Sequence, residues 1–308
     1  MAVVKRQAAP APIKRVTTAA VPAVKWAQGD LGAFALPMEA SAPKTTFADL
    51  TWLIYGEKGI GKTSVAARYP AALLVPFEPG TKFLTIARLP VVTRWEEFLH
   101  VLKQLSGHTH KYRTAVIDPG NKAYEVCMEF VCRREGVTHP NDRKDFGKTW
   151  GQVSKEFQGA HATLSAADVS MVILAHAKTI DLETFSGQVF SRIVPVMSGS
   201  TEEYYAGIVD MIGYYHYHDR QRYLQIRGDD FVMAKCRPEQ HFLTTGGEPV
   251  VRIPMGKSST DAFKNIMTAF ENRQKDTYAE LGGAAQSTGN DDSPLTRKGY
   301  KMHKTKKD

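Results

Sequence analysis

Residues 56 to 63 read Gly56-Glu57-Lys58-Gly59-Ile60-Gly61-Lys62-Thr63, a complete G-x-x-x-x-G-K-[ST] pattern. Its glycines let the backbone curl until consecutive N–H groups point at one spot, the concave shape that holds a phosphate chain. Upstream, residues 51–55 form a short apolar run of strand character. Downstream, a helical segment starts at Lys62 and must stop before Pro70, because proline has no N–H for a helix interior. Strand, glycine turn and helix in that order are the context the pattern requires. In it Lys62 would reach the β and γ phosphates and the Thr63 hydroxyl would ligate Mg2+, with Gly56, Glu57, Lys58, Gly59, Ile60, Gly61 and Ser64 completing a site for ATP.

Working outward, short β-rich runs alternate with helical segments, the pattern of an α/β domain with a mostly parallel sheet. Strands are expected at 51–55, 73–77, 114–118 and 170–175. Helices fall between them: one opening on a capping box of Thr93 and Glu96, one over 122–134 and one over 150–167. After Met211 the texture changes. Residues 214–218 and 223–227 alternate around 219–222 as a hairpin would, and 231–236 can follow as a third strand, so antiparallel strands extend the sheet on its C-terminal side.

Four further features sit where open α/β sheets bind ligands, at the C-terminal ends of strands, or later in the chain. Asp118 closes the run Thr114-Ala115-Val116-Ile117-Asp118 and would hold Mg2+ from the strand neighbouring the phosphate loop, unless it only caps the next helix. Glu78 follows the second strand and can serve as general base on the attacking water, or be a solvated loop carboxylate. His176 ends Met171-Val172-Ile173-Leu174-Ala175 and can contact the γ phosphate, or simply be hydrogen-bonded at a strand end. Lys235 and Arg237, two apart on a strand, project to one side and could jointly reach a transferring phosphate, although such pairs commonly face solvent. Residues 178–200 show no clear period and are long for a connection. They carry Lys178, Phe185, Phe190 and Arg192, the cations and rings that single-stranded DNA asks for, unless the rings tuck into the core.

Composition bounds the rest. The 308 residues allow two domains or one large α/β domain with tails, and 43% hydrophobic content excludes wholesale disorder. The net charge of +8 sits mostly at the ends: residues 1–45 hold +4 and residues 282–308 hold +3, leaving a core near neutrality. The expected organisation is a disordered basic arm over 1–46, an ATPase domain over 47–275 and a disordered basic tail over 276–308. Such arms serve solubility, or strengthen binding to a polyanion in a salt-dependent way. Cys127, Cys132 and Cys236 make neither a disulfide framework nor a zinc site, which favours a reducing compartment. No apolar run approaches the roughly 20 residues a membrane span requires.

The order of these parts, phosphate loop, glutamate after the second strand, strand-end aspartate, polar strand end and late Lys-x-Arg, resembles the RecA and DnaB branch of P-loop ATPases. More narrowly, Leu53 to Arg237 is similar to phage-encoded RecA-like ATPases, the AAA-family ATP-binding proteins that include single-strand annealing recombinases. Two departures stand out: Pro119 directly follows Asp118, and no acidic residue precedes Glu78 in the Asp-x-Glu manner. The resemblance implies a RecA-like core and ATP bound between protomers of a homo-oligomer. It gives Lys235 and Arg237 as a finger inserted into the neighbouring subunit's site. It also implies DNA-stimulated hydrolysis, loops that line single-stranded DNA, a single-strand binding protein as a partner, and work in the cytoplasm, that of the host for a phage protein. A P-loop kinase or NTPase acting on a small molecule or protein, and a helicase-loader or packaging ATPase, share the ATP chemistry and stay open.

Overall fold

The computed structural model describes residues 46–107 and 109–275. Among them, ten strands form the sheet: β1 (Trp52–Gly56), β2 (Ala72–Pro76), β3 (Ala87–Arg88), β4 (Thr114–Asp118), β5 (Ser170–Glu183), β6 (Val189–Pro195), β7 (Met211–His218), β8 (Gln221–Gln225), β9 (Lys235–Cys236) and β10 (Arg252–Pro254). The helices are α1 (Lys62–Ala66), α2 (Trp95–Gly107), α3 (Gly120–Glu135), α4 (Lys148–Ala166), α5 (Gly199–Ile208) and α6 (Ser259–Phe270). The main path runs β10-β8-β7-β1-β5-β4-β2-β3, parallel from β7 through β3. The strands β6, β8, β9 and β10 are antiparallel to their partners. This is the α/β architecture expected: a mostly parallel sheet flanked by helices, with antiparallel strands added on the C-terminal side.

Strand β1 is buried throughout because β5 and β7 flank it and helices cover both faces. That is why it reads as a continuous apolar run rather than an alternating one. Leu53 and Tyr55 point to the layer of α2, α3, α4 and α5. Trp52 and Ile54 point to α1 and α6, where Phe47, Trp52, Tyr69, Phe242, Phe263 and Phe270 pack edge to face or tilted.

Several expectations are corrected. The segment 178–200 is not a loop: β5 continues to Glu183, turns at Gly187 (φ 81°) and returns as β6, after which α5 begins. The alternation of Ile180 and Leu182 with Thr179, Asp181 and Glu183 is the period of a ribbon wetted on one side. The residue that caps α2 is Glu97, which accepts from the backbone N–H of Thr93 and Arg94, while Glu96 pairs with Arg133 on α3. Helix α1, by contrast, starts at Lys62 and stops before Pro70 as expected, spanning five residues. The β7–β8 turn narrows to Asp219 and Arg220, both at positive φ (48° and 62°), as tight hairpins require. Of 231–236 only Lys235–Cys236 joins the sheet at β7, because Phe231 and Met233 exchange backbone hydrogen bonds with Ile193 of β6 instead. The expected arms over 1–46 and 276–308 lie outside the described residues, apart from Thr46. Among the described residues no helix is long and apolar enough to cross a membrane.

Candidate functional site

The phosphate loop leaves the C-terminal end of β1, where Gly56 lies level with His176 of β5 and Tyr215 of β7. A Cβ on Gly56 would fall 2.1 Å from the Tyr215 carbonyl oxygen, so only glycine allows β7 this close. Gly59 and Gly61 turn the loop at φ 78° and 107°, backbone that side chains other than glycine's rarely adopt. Lys62 folds back into the loop, its Nζ donating to the carbonyls of Gly56 (3.0 Å) and Glu57 (2.8 Å). Burial lowers the Lys62 pKa, against the pull of Asp118, Glu78 and Glu57. Glu57 and Lys58 are exposed at the loop's crest, Ile60 is buried in the core, and Ser64 is half-buried on α1.

The Thr63 hydroxyl donates to Asp118 Oδ2 at 2.7 Å. The two residues do not come from adjacent strands: β5 lies between β1 and β4, correcting the expectation that the aspartate's strand neighbours the loop strand. Asp118 reaches Thr63 across the end of β5. Burial is the main force raising the Asp118 pKa, Glu78 adds to it, and the Thr63 hydroxyl and Lys62 oppose it. Glu78 is exposed two residues beyond β2, and the intervening Phe77 N–H donates to the Asp118 carbonyl at 2.8 Å, setting Glu78 beside Asp118. His176 stands between the loop and Asp118, at the level where β5 leaves the main sheet for its hairpin. Its pKa is lowered, first by burial and then by Lys62, and its shielded Nδ1 has no hydrogen-bond partner among the described residues. One edge therefore gathers Lys62, Thr63, His176, Asp118 and Glu78.

Lys235 and Arg237 are elsewhere. β9 pairs with the first residues of β7, level with Trp52 at the start of β1, so about 13 Å of strand separates them from the loop. They do act on one side together, at the C-terminus of α5. Lys235 Nζ donates to the carbonyls of Ala206 (2.6 Å) and Val209 (2.8 Å), and Arg237 Nη2 to that of Gly207 (2.6 Å). Cations there complement the helix's negative end.

On the β5–β6 ribbon, Lys178 pairs with Val194, Ile180 with Arg192 and Leu182 with Phe190. Directly opposed residues share a face, so Lys178, Phe190 and Arg192 lie together. Phe185 stands at the tip, 89% exposed, whereas Phe190 packs edge-on against Phe231 (6.3 Å between centroids). Lys178 donates to the Met197 carbonyl, and both cations draw down the pKa of Glu202 on α5, which burial raises.

Two residues at the loop are invisible to sequence reasoning, Arg222 of β8 and Tyr215 of β7. Arg222 Nη1 reaches the Ile60 carbonyl at 3.5 Å, and a Cβ on Gly61 would lie 3.9 Å from the Tyr215 hydroxyl. No motif marks them, because only the pairing of β7 with β1 brings the hairpin to the loop.

The donor set suits Mg2+ and a phosphate chain: a hydroxyl and a carboxylate for a hard cation that keeps several waters and takes its remaining ligands from phosphate, beside a glycine cradle and a lysine. Among the described residues no group of three or more His, Cys, Asp or Glu able to hold a metal occurs.

Residues 48–238 match the profile of the AAA domain family. Among curated proteins none matches. Among solved structures, the chain is similar to a RadB recombinase (11% identity, TM-score 0.35, covering 57% of this chain and 80% of that one). It is also similar to a KaiC-like protein of the hyperthermophilic archaeon Pyrococcus horikoshii OT3 (13% identity, TM-score 0.34, covering 59% and 80%).

Proposed function

The chain belongs to the AAA domain family, and from that premise we propose that its P-loop core is RecA-like and that it binds ATP with Mg2+ and hydrolyses it as a homo-oligomer acting on single-stranded DNA, in phage-type recombination, annealing or replication. The observation that carries the ATP chemistry is the convergence of Lys62, Thr63, Asp118, His176 and Glu78 on one sheet edge, with Thr63 and Asp118 in direct contact. In this assignment the loop N–H groups and Lys62 hold the phosphates, and Thr63 and Asp118 hold Mg2+. Held by Thr63 and Asp118, Mg2+ would supply positive charge against the charge that develops on the phosphate oxygens. Glu78 takes the proton of the attacking water. His176, kept neutral by burial and by Lys62, offers a hydrogen bond toward the γ phosphate. Its own strand runs on into the β5–β6 ribbon, so Lys178 follows it two residues on, and Phe185, Phe190 and Arg192, the other residues assigned to DNA, sit on the same hairpin.

Lys235 and Arg237 cannot serve their own chain's loop from the far end of β1, so they are assigned to a neighbouring protomer's site, where they would exchange the α5 carbonyls for phosphate oxygens. Hydrolysis then needs assembly. Steady-state turnover at several protein concentrations, with and without single-stranded DNA and at two salt levels, tests this against Lys62→Ala as blank. Turnover per subunit should rise with protein concentration and with DNA, the DNA effect fading at higher salt. Turnover indifferent to both would leave a P-loop kinase or NTPase with a small-molecule or protein substrate. Turnover that needs protein concentration but ignores DNA would point to a helicase loader or packaging ATPase.

A further inference from the structure

β8 brings one more cation to the phosphate loop. Arg222 projects to the same side of the sheet as Leu224, which packs with α1 and α6. Its Nη1 donates to the Ile60 carbonyl at 3.5 Å and its Nη2 to the Gly256 carbonyl at 2.9 Å. A Cβ on Gly61 would lie 3.5 Å from Nη1 and 3.9 Å from the Tyr215 hydroxyl, so guanidinium and phenol both rest against the outside of the glycine turn. Tyr215 is 0% exposed; burial raises its pKa, and Arg222 beside its shielded hydroxyl pulls it back down.

The geometry of one peptide unit gives this contact a consequence. The Ile60 carbonyl and the Gly61 N–H belong to the same planar trans peptide and therefore point in opposite directions. A carbonyl held on Arg222 turns the Gly61 N–H away from the guanidinium, toward the opposite face of the loop. The second anchor is itself fixed. Gly256 has φ 61°, and a Cβ there would come within 2.7 Å of Asp261 Cβ. Asp261 closes the capping box of α6 with Ser258. A continuous path thus runs from the start of α6 through Gly256 and Arg222 to the loop amide.

We propose that Arg222 is a positioning residue for the nucleotide: by holding the Ile60 carbonyl it aims the Gly61 N–H at the phosphates and ties the loop to the entry of α6. This rests on the nucleotide-binding assignment above. The amides of such a loop cradle the α and β phosphates, which ATP and ADP share, so Arg222 governs affinity for both alike.

The test is equilibrium binding of ATP and ADP to the full chain, to Arg222→Ala, to Arg222→Lys and to Lys62→Ala, with the nucleotide-free melting midpoint of each. Arg222→Ala should weaken ATP and ADP by the same factor, about tenfold, as expected for one charge-assisted hydrogen bond. Its midpoint should stay near that of the wild type, and Arg222→Lys, able to keep one of the two bonds, should recover part of the affinity. Unchanged affinities in Arg222→Ala overturn the proposal. So does a loss that tracks a lowered midpoint and is equal in Arg222→Lys, the mark of a purely structural arginine. A wild type that binds ATP no better than Lys62→Ala overturns the nucleotide assignment itself and Arg222's role with it, and is told apart by that pair alone.

Discussion

The buried Lys62 and the half-buried Lys235 both donate from their ammonium groups to two backbone carbonyls, and burial lowers the pKa of each. Their surroundings differ. Around Lys62 stand Asp118, a half-buried carboxylate with a raised pKa, the exposed Glu78 and an imidazole nitrogen without a partner among the described residues. Around Lys235 stand Arg237, Asp210 and the last carbonyls of a helix. The first end of the sheet holds groups in costly states that a phosphate chain and Mg2+ would relieve, and the second holds cations a helix terminus already satisfies. What a lysine is bonded to does not separate the two roles. What faces it does.

The largest effect that would break this contrast comes from the second end. If Arg237 serves a neighbouring site, Arg237→Ala should spare ATP binding and cut turnover by about 10^3 to 10^5. Normal turnover in that variant would leave Arg237 as a helix cap and nothing more. Its loss as a cap should cost no more than about 1 kcal/mol in a denaturant titration. At the first end, Lys62→Ala should weaken ATP binding about 100-fold, as loss of a buried phosphate partner does. Binding by calorimetry separates this from an effect on turnover alone.

The wall behind α5 supplies a pH test. His161 is fully buried, with Nδ1 2.8 Å from the Phe157 carbonyl and Nε2 2.9 Å from the Tyr205 hydroxyl, and burial lowers its pKa to about 4. The folded value lies below the unfolded one of 6.5. As pH falls the unfolded chain takes up the proton first, so stability should drop from pH 6.5 downward, by about 3 kcal/mol in full near pH 4. Denaturant midpoints across that range should show the slope in the wild type, and His161→Gln, which keeps a donor and an acceptor, should lack that contribution. The phosphate-loop edge is untouched by that change, so ATP affinity at pH 7 should survive it. The smallest effect concerns the ribbon: Phe185→Ala should cost about 1 to 3 kcal/mol of single-stranded DNA affinity by loss of one stacking ring. With 89% of the residue exposed, the melting midpoint should not move. An unchanged DNA affinity would remove the tip from the DNA path.

Much of this was legible because it is local. Thr51 to Asp118 carries its strands as short apolar runs, its loop as a glycine pattern and its helix stop as a proline, each read from neighbours in sequence. The β5–β6 ribbon was not legible as structure, since its period of two is short, broken at Phe185 to Gln188, and competes with a mixed composition. Helix α5 was missed for a related reason: its buried contacts, Thr201 and Tyr205, are too few to make a sustained stripe.

The amino-acid sequence by itself determined that a phosphate loop would sit between a buried strand and a helix, and which side chains it would present. Backbone freedom at glycine and the chemistry of lysine and threonine act over a few residues and need no distant partner. The tertiary structure alone decided the rest. It placed β5 between the loop and Asp118, set Arg222 behind Gly61, and put Lys235 and Arg237 against the C-terminus of α5 instead of near the phosphate loop. Those outcomes depend on strand order and on which helix end lies beside which strand. The hydrophobic burial that drives both is non-directional, so a local pattern does not specify them.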